Sequence, residues 1–299
     1  MSETHTYKGD EPIRLNKWMA QLGLCSRREA EALIGAGNVK VNGEAVSEPG
    51  HKISPGETME LAGKAAKALD DQLTVVMHKP VGYVSAQPEP EQTPAIRLAS
   101  KANLIGSAPK LPGRNTNFAP LGRLDMDSRG LLLLSEDGVL AKAIIGPASD
   151  LEKEYLVTVK GQVTQQAIGK LRHGLSLDGR RLKAAKVDEV SPGRLRFILR
   201  EGRNRQIRRM CELVGLLVVD LYRTRIGTLD IGKLPEGKWR ALTSEERASL
   251  IKASKPLSTR PPPSASSSGS RASGARSASA RSRGKHPKAG ARAGRPRKP

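Results

Sequence analysis

The sequence predicts an α+β protein: a small N-terminal unit, a larger unit on a mixed, mostly antiparallel sheet, and a disordered basic tail. Three observations carry that prediction. Two helical patterns and a hairpin crowd into residues 12–61. Strand-like runs then recur between Thr74 and Leu221 without the regular alternation with helices that a parallel sheet requires. From Lys252 to Pro299 there are 13 Lys/Arg, no Asp/Glu and almost nothing to bury.

Residues 1–11 are polar and are expected to be flexible. Leu15, Trp18, Met19 and Leu22 fall at i, i+3, i+4 and i+7, one face of a short helix that Gly23 ends. Ser26 and Glu29 have the spacing of a capping box, with Ala30, Leu33 and Ile34 inward behind it, and Gly35 and Gly37 stop this second helix. Val39 and Val41 then alternate with polar residues, Asn42-Gly43 signals a type I′ hairpin, and Val46 lies on the return strand. Ser54-Pro55-Gly56-Glu57 makes a second turn.

The polar side of this unit carries Arg14, Lys17, Arg27, Arg28 and Lys40. As charges alone they suit a solvated helix face as well as a nucleic-acid footprint. The run RLNKWMAQLGLCSRREAEALIGAGNVKVNG, however, resembles the S4 domain named after a ribosomal protein, over the whole unit. That resemblance implies docking on structured RNA through these five cations.

Residues 62–72 are rich in Ala and Lys and are expected to be a linker. The larger unit spans 73–251. Its strands are expected at Thr74–Met77, Leu131–Leu134, Tyr155–Val159, Leu195–Leu199 and Val218–Leu221, and its helices at Val139–Ile145, Thr164–Gly169 and Gln206–Val214. Residues 88–120, rich in Pro, Ser, Asn and Gly, are expected to form a long surface loop. The tail occupies 252–299.

The net charge is +21; removing the tail's 13 leaves +8 for residues 1–251, so the folded part is basic by itself. A polyanionic partner follows, most simply nucleic acid. No apolar stretch approaches the ~20 residues of a spanning helix and no signal peptide opens the chain, which argues against a membrane. Cys25 and Cys211 lie far apart, on what read as apolar helix faces, and the five histidines are scattered. Neither a disulfide framework nor a metal site is expected, and a reducing, cytoplasmic setting fits best.

The chemistry lies in three segments. GRLDMDSRGLLLLSEDG, from Gly122 to Gly138, sets Asp125 just ahead of a buried-looking run, where a carboxylate is costly unless paired. Read without relatives, such an Asp is most often a turn or cap residue. EKEYLVTV, from Glu152 to Val159, opens a strand with Tyr155, one of eight aromatic residues in the chain. GRNRQIRRM, from Gly202 to Met210, offers four arginines at the start of a helix, Arg205 and Arg208 near one face.

All three segments resemble the active-site motifs of the pseudouridine synthases related to the small-subunit ribosomal RNA enzyme. The resemblance covers residues 12 to about 251. It implies a cofactor-free, metal-free isomerisation: the N-glycosidic bond of an extruded uridine breaks, the base turns, and it rejoins through carbon. By the same resemblance Asp125 is the essential carboxylate. It attacks C1′ or takes a proton from C2′, two routes the sequence leaves open, and either needs it ionised. Tyr155 is implied to stack on the uracil with its hydroxyl near the sugar. Arg208 is expected to pair with Asp125 in a two-pronged grip. Arg123 is implied to fill the gap left by the flipped base, Ile207 to line the uracil pocket, and Lys153, Arg203, Arg205 and Arg209 to contact substrate. Lys79-Pro80-Val81-Gly82 matches a further motif that supports the site.

EKEYLVTV, NRQIRRMCE, the RTRI at Arg223–Ile226 and the basic tail resemble the large-subunit type F branch. That branch implies 23S ribosomal RNA, near the peptidyl-transferase centre, with a tRNA anticodon stem as a second substrate; a monomer is expected. Two rival readings remain: an S4-type ribosome-assembly factor without catalysis, and a metal-dependent RNA hydrolase using Asp125, Asp127 and Glu136 or Asp137.

Overall fold

A computed structural model describes residues 4–113 and 116–254. The N-terminal unit has helices α1 (Leu15–Leu22), α2 (Arg27–Gly35) and α3 (Gly63–Asp70). Strands β1 (Thr4–Thr6), β2 (Val39–Val41), β3 (Glu44–Val46) and β4 (Thr58–Leu61) form an antiparallel sheet in the order β1-β4-β2-β3. Both halves of the capping box form: Ser26 Oγ accepts from Glu29 N–H at 3.3 Å, and Glu29 Oε2 accepts from Ser26 N–H at 2.6 Å. Asn42 and Gly43 both take positive φ (50° and 85°), as a type I′ turn requires. Leu15, Trp18, Met19, Ala30 and Ile34 meet Val39, Val41 and Met59 in one core.

Several expectations here need correcting. Residues 4–11 are tied down rather than flexible, because β1 pairs with β4 and the Tyr7 ring packs edge-on against Trp18. The expected linker is mostly α3, whose Ala65 is buried in the N-terminal core. Leu22, at the last turn of α1, is 41% exposed and not inward. Cys25 lies between helices, just ahead of the cap residue, and not on a helix face.

The larger unit is built on β5 (Thr74–Lys79), β6 (Arg129–Ser135), β7 (Lys153–Lys160), β8 (Lys186–Ser191), β9 (Arg194–Leu199), β10 (Leu217–Ile226) and β11 (Trp239–Ala241). Their order is β8-β9-β7-β10-β6-β5-β11, and two short strands at Ala119–Pro120 and Leu229–Asp230 pair with β6 and β10. Among the described strands of this sheet only the β6–β10 pairing is parallel, so the sheet is mixed and mostly antiparallel as expected.

The apolar run Leu131–Leu134 reads as continuous because both sheet faces are covered. Leu132 and Leu134 enter one core with Phe197, Met210 and Trp239; Leu131 and Leu133 enter the other with Leu140, Ile144 and Leu250. Each such buried leucine contributes about 2 kcal/mol. Helices α4 (Gly138–Ile145) and α7 (Ser244–Ser254) supply the second core, and α5 (Gln165–Arg172) and α6 (Gln206–Glu212) the first. Burial pushes the Cys25 and Cys211 thiols up to about 12, so both are inert.

Part of 88–120 is built in and not a free loop: Ala95 and Ala99 are in the core, and Trp239 Nε1 donates to Ser100 O at 2.7 Å. Residues 252–254 end α7 instead of opening the tail. From residue 255 the expected tail lies outside the described residues. Among the described residues, no helix is long and apolar enough to cross a membrane.

Candidate active site

Asp125 lies on a loop, residues 121–128, that feeds β6. The loop is pinned along its length. Leu121 N–H donates to Leu133 O at 2.8 Å. The buried Ser85 hydroxyl accepts from Leu124 N–H at 2.8 Å and donates to Leu124 O at 2.7 Å, which fixes the residue just before Asp125. Gly82 N–H donates to Met126 O at 2.8 Å, and Ser128 N–H closes a turn on Asp125 O at 3.1 Å. From below, Arg223 donates to Gly122 O at 3.0 Å and to Arg123 O at 3.4 Å.

A cleft of about 460 Å³ opens between this loop and the start of α6. Asp125, Arg123, Lys153, Tyr155, Arg203, Arg205, Ile207 and Arg208 all line it, so residues from three distant segments converge as expected; Arg209 does not. Asp125 is 36% exposed, open to the cleft, so its solvation cost is smaller than its place beside the core suggests. Tyr155 is 8% exposed and Ile207 4%; both are rooted in the core and offer one edge to the cleft.

The cations are arranged differently from the expectation. Arg208 does not pair with Asp125. Its Nη1 donates to Val218 O at 3.2 Å and its Nη2 to Asp127 O at 2.7 Å, while Nε lies 3.3 Å from Asp127 Oδ2, an ion pair whose N–H is not aimed at the oxygen. Those carbonyls occupy the guanidinium one turn inside α6. Arg205 caps that helix in the left-handed conformation (φ 47°, ψ 34°) and reaches over the loop instead. It grips Asp127 at 3.2 and 2.8 Å and comes within 3.7 Å of Asp125 Oδ2. Burial raises the Asp127 carboxyl, but Arg205 and Arg208 outweigh it and hold that group below the usual carboxylate range.

Two further arginines are already engaged with the protein. Arg203 donates to Leu177 O, Arg180 O and Arg181 O at 2.9–3.2 Å, clamping a hairpin. Arg209 turns away to Asp178, at 2.6 and 3.0 Å. The side chains of Arg123 and Lys153, by contrast, line the cleft without a hydrogen bond or ion pair among the described residues. Burial, and then the charge of Arg223, push the Lys153 ammonium below its ordinary value.

Residues that sequence reasoning missed are Ser85 and Arg223. Ser85 carries no signal in its neighbours. Arg223 does: a charged residue on an inward position of the apolar strand LVVDLYRTRI is out of place unless it has work there.

Lys79 sits under the loop, fully buried, donating to Pro80 O at 2.8 Å and Tyr83 O at 2.7 Å. Burial pushes its ammonium down to about 8, against the pull of Asp125 and Asp127. A lysine depressed on folding takes up a proton on unfolding, so its penalty is present below pH 8 and is relieved as pH rises towards the unfolded value of about 10.4. Between about pH 7.5 and about 9.5, wild type should therefore gain about 2 kcal/mol of unfolding free energy relative to Lys79→Met. Denaturant unfolding at the two pH values measures it, and a constant difference would mean that Lys79 keeps its proton throughout.

The hydrolase set does not assemble. Glu136 and Asp137 lie beyond the far end of β6, about 20 Å of strand from the Asp127 end. Glu136 accepts from Leu73 N–H and pairs with Lys110; Asp137 caps α4 and pairs with Arg247. Among the described residues no group of three or more His, Cys, Asp or Glu could hold a metal ion.

A basic N-terminal unit beside one open carboxylate, a tyrosine and a ring of arginines describes an enzyme acting on RNA. The S4 domain family matches residues 13–58, and the RNA pseudouridylate synthase family matches residues 73–213. The dual-specificity RNA pseudouridine synthase RluF of Escherichia coli (strain K12) is 36% identical over 245 residues, 81% of this chain and 80% of that protein. An RNA pseudouridine synthase of Aquifex aeolicus is 34% identical over 235 residues, 78% of this chain and 94% of its own. A crystal structure of a pseudouridylate synthase matches with a TM-score of 0.53 and 26% identity, covering 80% of this chain and 100% of that one. The chain belongs to the RNA pseudouridine synthases, with an S4 domain ahead of the catalytic domain.

Proposed function

We propose that the protein converts uridine to pseudouridine in 23S ribosomal RNA near the peptidyl-transferase centre, with a tRNA anticodon stem as a second substrate. The observation that carries the reaction is Asp125: a carboxylate on a pinned loop, open to a cleft that also holds Tyr155. The 36% identity to a dual-specificity enzyme supports the choice of two RNA classes. Mapping pseudouridines in rRNA and tRNA from cells with and without the protein tests it. Loss of one 23S site and one tRNA site is the expected result, and an unchanged 23S map overturns the target.

In this reading Asp125 acts at the sugar, and Arg205, 3.7 Å away, is the cation that faces it. Arg208 holds the neighbouring Asp127 and its carbonyl, so its part is to shape the loop. Tyr155 stacks on the extruded uracil against Ile207. Arg123 and Lys153, whose side chains have no hydrogen-bond or ion-pair partner among the described residues, are the cations available to meet RNA.

The S4 domain grips the substrate through Arg14, Lys17, Arg27, Arg28 and Lys40, all five solvent-exposed. Arg27 and Arg28 open α2, where cations oppose the helix dipole. A local rule broken this way points to a task outside the helix. The protein acts as a monomer in the cytoplasm.

Deleting residues 255–299 should weaken RNA binding without changing which uridine is modified, because that segment's charge is all of one sign. If about five of its cations meet phosphates, the slope of log K against log salt becomes shallower by roughly 4. Binding measured across a salt series checks this, and a changed modification site would give the tail a role in reading sequence.

A further inference from the structure

The geometry points to Arg223 as the residue that positions Asp125 against Tyr155, an inference that rests on Asp125 being the reactive carboxylate. Arg223 lies in the central strand β10 and is 1% exposed. An arginine so buried usually carries a carboxylate partner. Among the described residues it has none. Its guanidinium donates only to backbone oxygens: Leu131 O at 2.7 Å, Gly122 O at 3.0 Å and Arg123 O at 3.4 Å. Two of these belong to the loop before Asp125 and one to the strand after it.

Two glycines with positive φ lie against Arg223. Gly122 takes φ +96°, and a Cβ there would lie 3.7 Å from Arg223 Nη1. In the sheet Arg223 pairs with Tyr155 on one side and with Gly130 on the other. Gly130 takes φ +111°, and any Cβ would run into the Arg223 backbone. The β7–β10 register slips between Glu154 and Tyr155, so the bulge falls beside the same pair. Position 223 is thus where the strand bearing Tyr155 and the strand leading from Asp125 share one neighbour.

A guanidinium suits this task. Its planar fork can satisfy several carbonyls at once. A lysine ammonium at the same place reaches fewer of them. Arg223 touches no reacting atom in this scheme; it is a positioning residue.

The test uses the full chain with Arg223→Lys and Gly122→Ala, singly and together, and Asp125→Asn beside them. Single-turnover isomerisation of an rRNA fragment, RNA affinity and melting temperature are read for each. Arg223→Lys should lose about 100-fold in rate, the scale of a misplacement near 1 Å, with affinity within about twofold of wild type. Gly122→Ala should show the same split between rate and affinity. Since both act on one loop, the double variant should be much less impaired than the product of the two losses. A merely destabilised enzyme would regain its rate well below its melting temperature; these variants should not.

A folded Arg223→Lys with wild-type rate overturns the inference, as do losses that multiply. If Arg223→Lys does not fold, Gly122→Ala alone decides: a folded form with normal rate overturns it, and a slow one with normal affinity supports it. Activity retained by Asp125→Asn would overturn the carboxylate assignment, and the inference with it, a result distinct from failure at Arg223 alone.

Discussion

Asp125→Asn should abolish isomerisation while leaving RNA affinity and melting temperature close to wild type. The amide matches the carboxylate in shape but is neither a nucleophile nor a base, so a rate loss of about 10⁴-fold or more is expected. The structure makes the substitution clean. Among the described residues the Asp125 side chain makes no hydrogen bond, and its one ion pair is with Arg205 at 3.7 Å. Arg205 keeps its two-pronged hold on Asp127 when Asp125 is neutralised. The loop itself is held by backbone bonds to Ser85, Gly82 and Arg223, none of which involves the carboxylate. Single-turnover assay on rRNA fragments measures the effect, and readily detected product from the variant would remove Asp125 from the mechanism.

Tyr155→Phe should bind RNA almost normally yet react far more slowly, whereas Tyr155→Leu should lose rate and some affinity. Phe keeps the ring, whose stacking on an extruded base contributes about 1–3 kcal/mol. It removes only the hydroxyl, which handles a proton in the proposed isomerisation. That hydroxyl has no hydrogen-bond partner among the described residues, so its removal should cost little stability. Leu removes ring and hydroxyl from a position 8% exposed and packed in the main core, so its melting temperature should also fall. If Tyr155 served packing alone, Phe would turn over at the wild-type rate and Leu would suffer through stability. Binding, single-turnover rate and melting temperature of the two variants separate these outcomes.

Local order was the most legible part of the chain. The Ser26–Glu29 box, the Asn42-Gly43 turn and the doubly buried Leu131–Leu134 run are specified by a few neighbouring residues, and each forms. Helix α3 was hidden because an Ala/Lys-rich stretch reads as spacer by composition although alanine and lysine are good helix formers. Strand β8, with the sequence KVDEVS, buries only Val187 and so carries no alternating pattern. In the site, resemblance brought the cleft residues together, but not the pairing of charges. Whether Arg205 or Arg208 faces Asp125 depends on a left-handed backbone at residue 205 and on carbonyls of Asp127 and Val218. Helical spacing cannot report those. Arg203 and Arg209 went the same way, taken up by a hairpin and an aspartate that lie distant in sequence.

The junction between the two domains has a consequence for how tightly one RNA is held. Helix α3 belongs to the S4 core through Ala65, and Leu73 is already in the core of the catalytic domain, so little chain is left between them to act as a tether. Glu29 closes the seam: while its Oε2 caps α2, its Oε1 accepts from Gln72, and the first residue of α4, Gly138, lies against Ser26 and Glu29 with no room for a side chain. Two weak grips on one substrate gain most when the second site meets its target at high effective concentration, and a long loose connection dilutes that advantage. Here the connection is a packed joint. In the proposed reading, an RNA that has touched the S4 face finds the cleft across this packed joint, so avidity is built into it, and an RNA whose two elements do not match its span gains none.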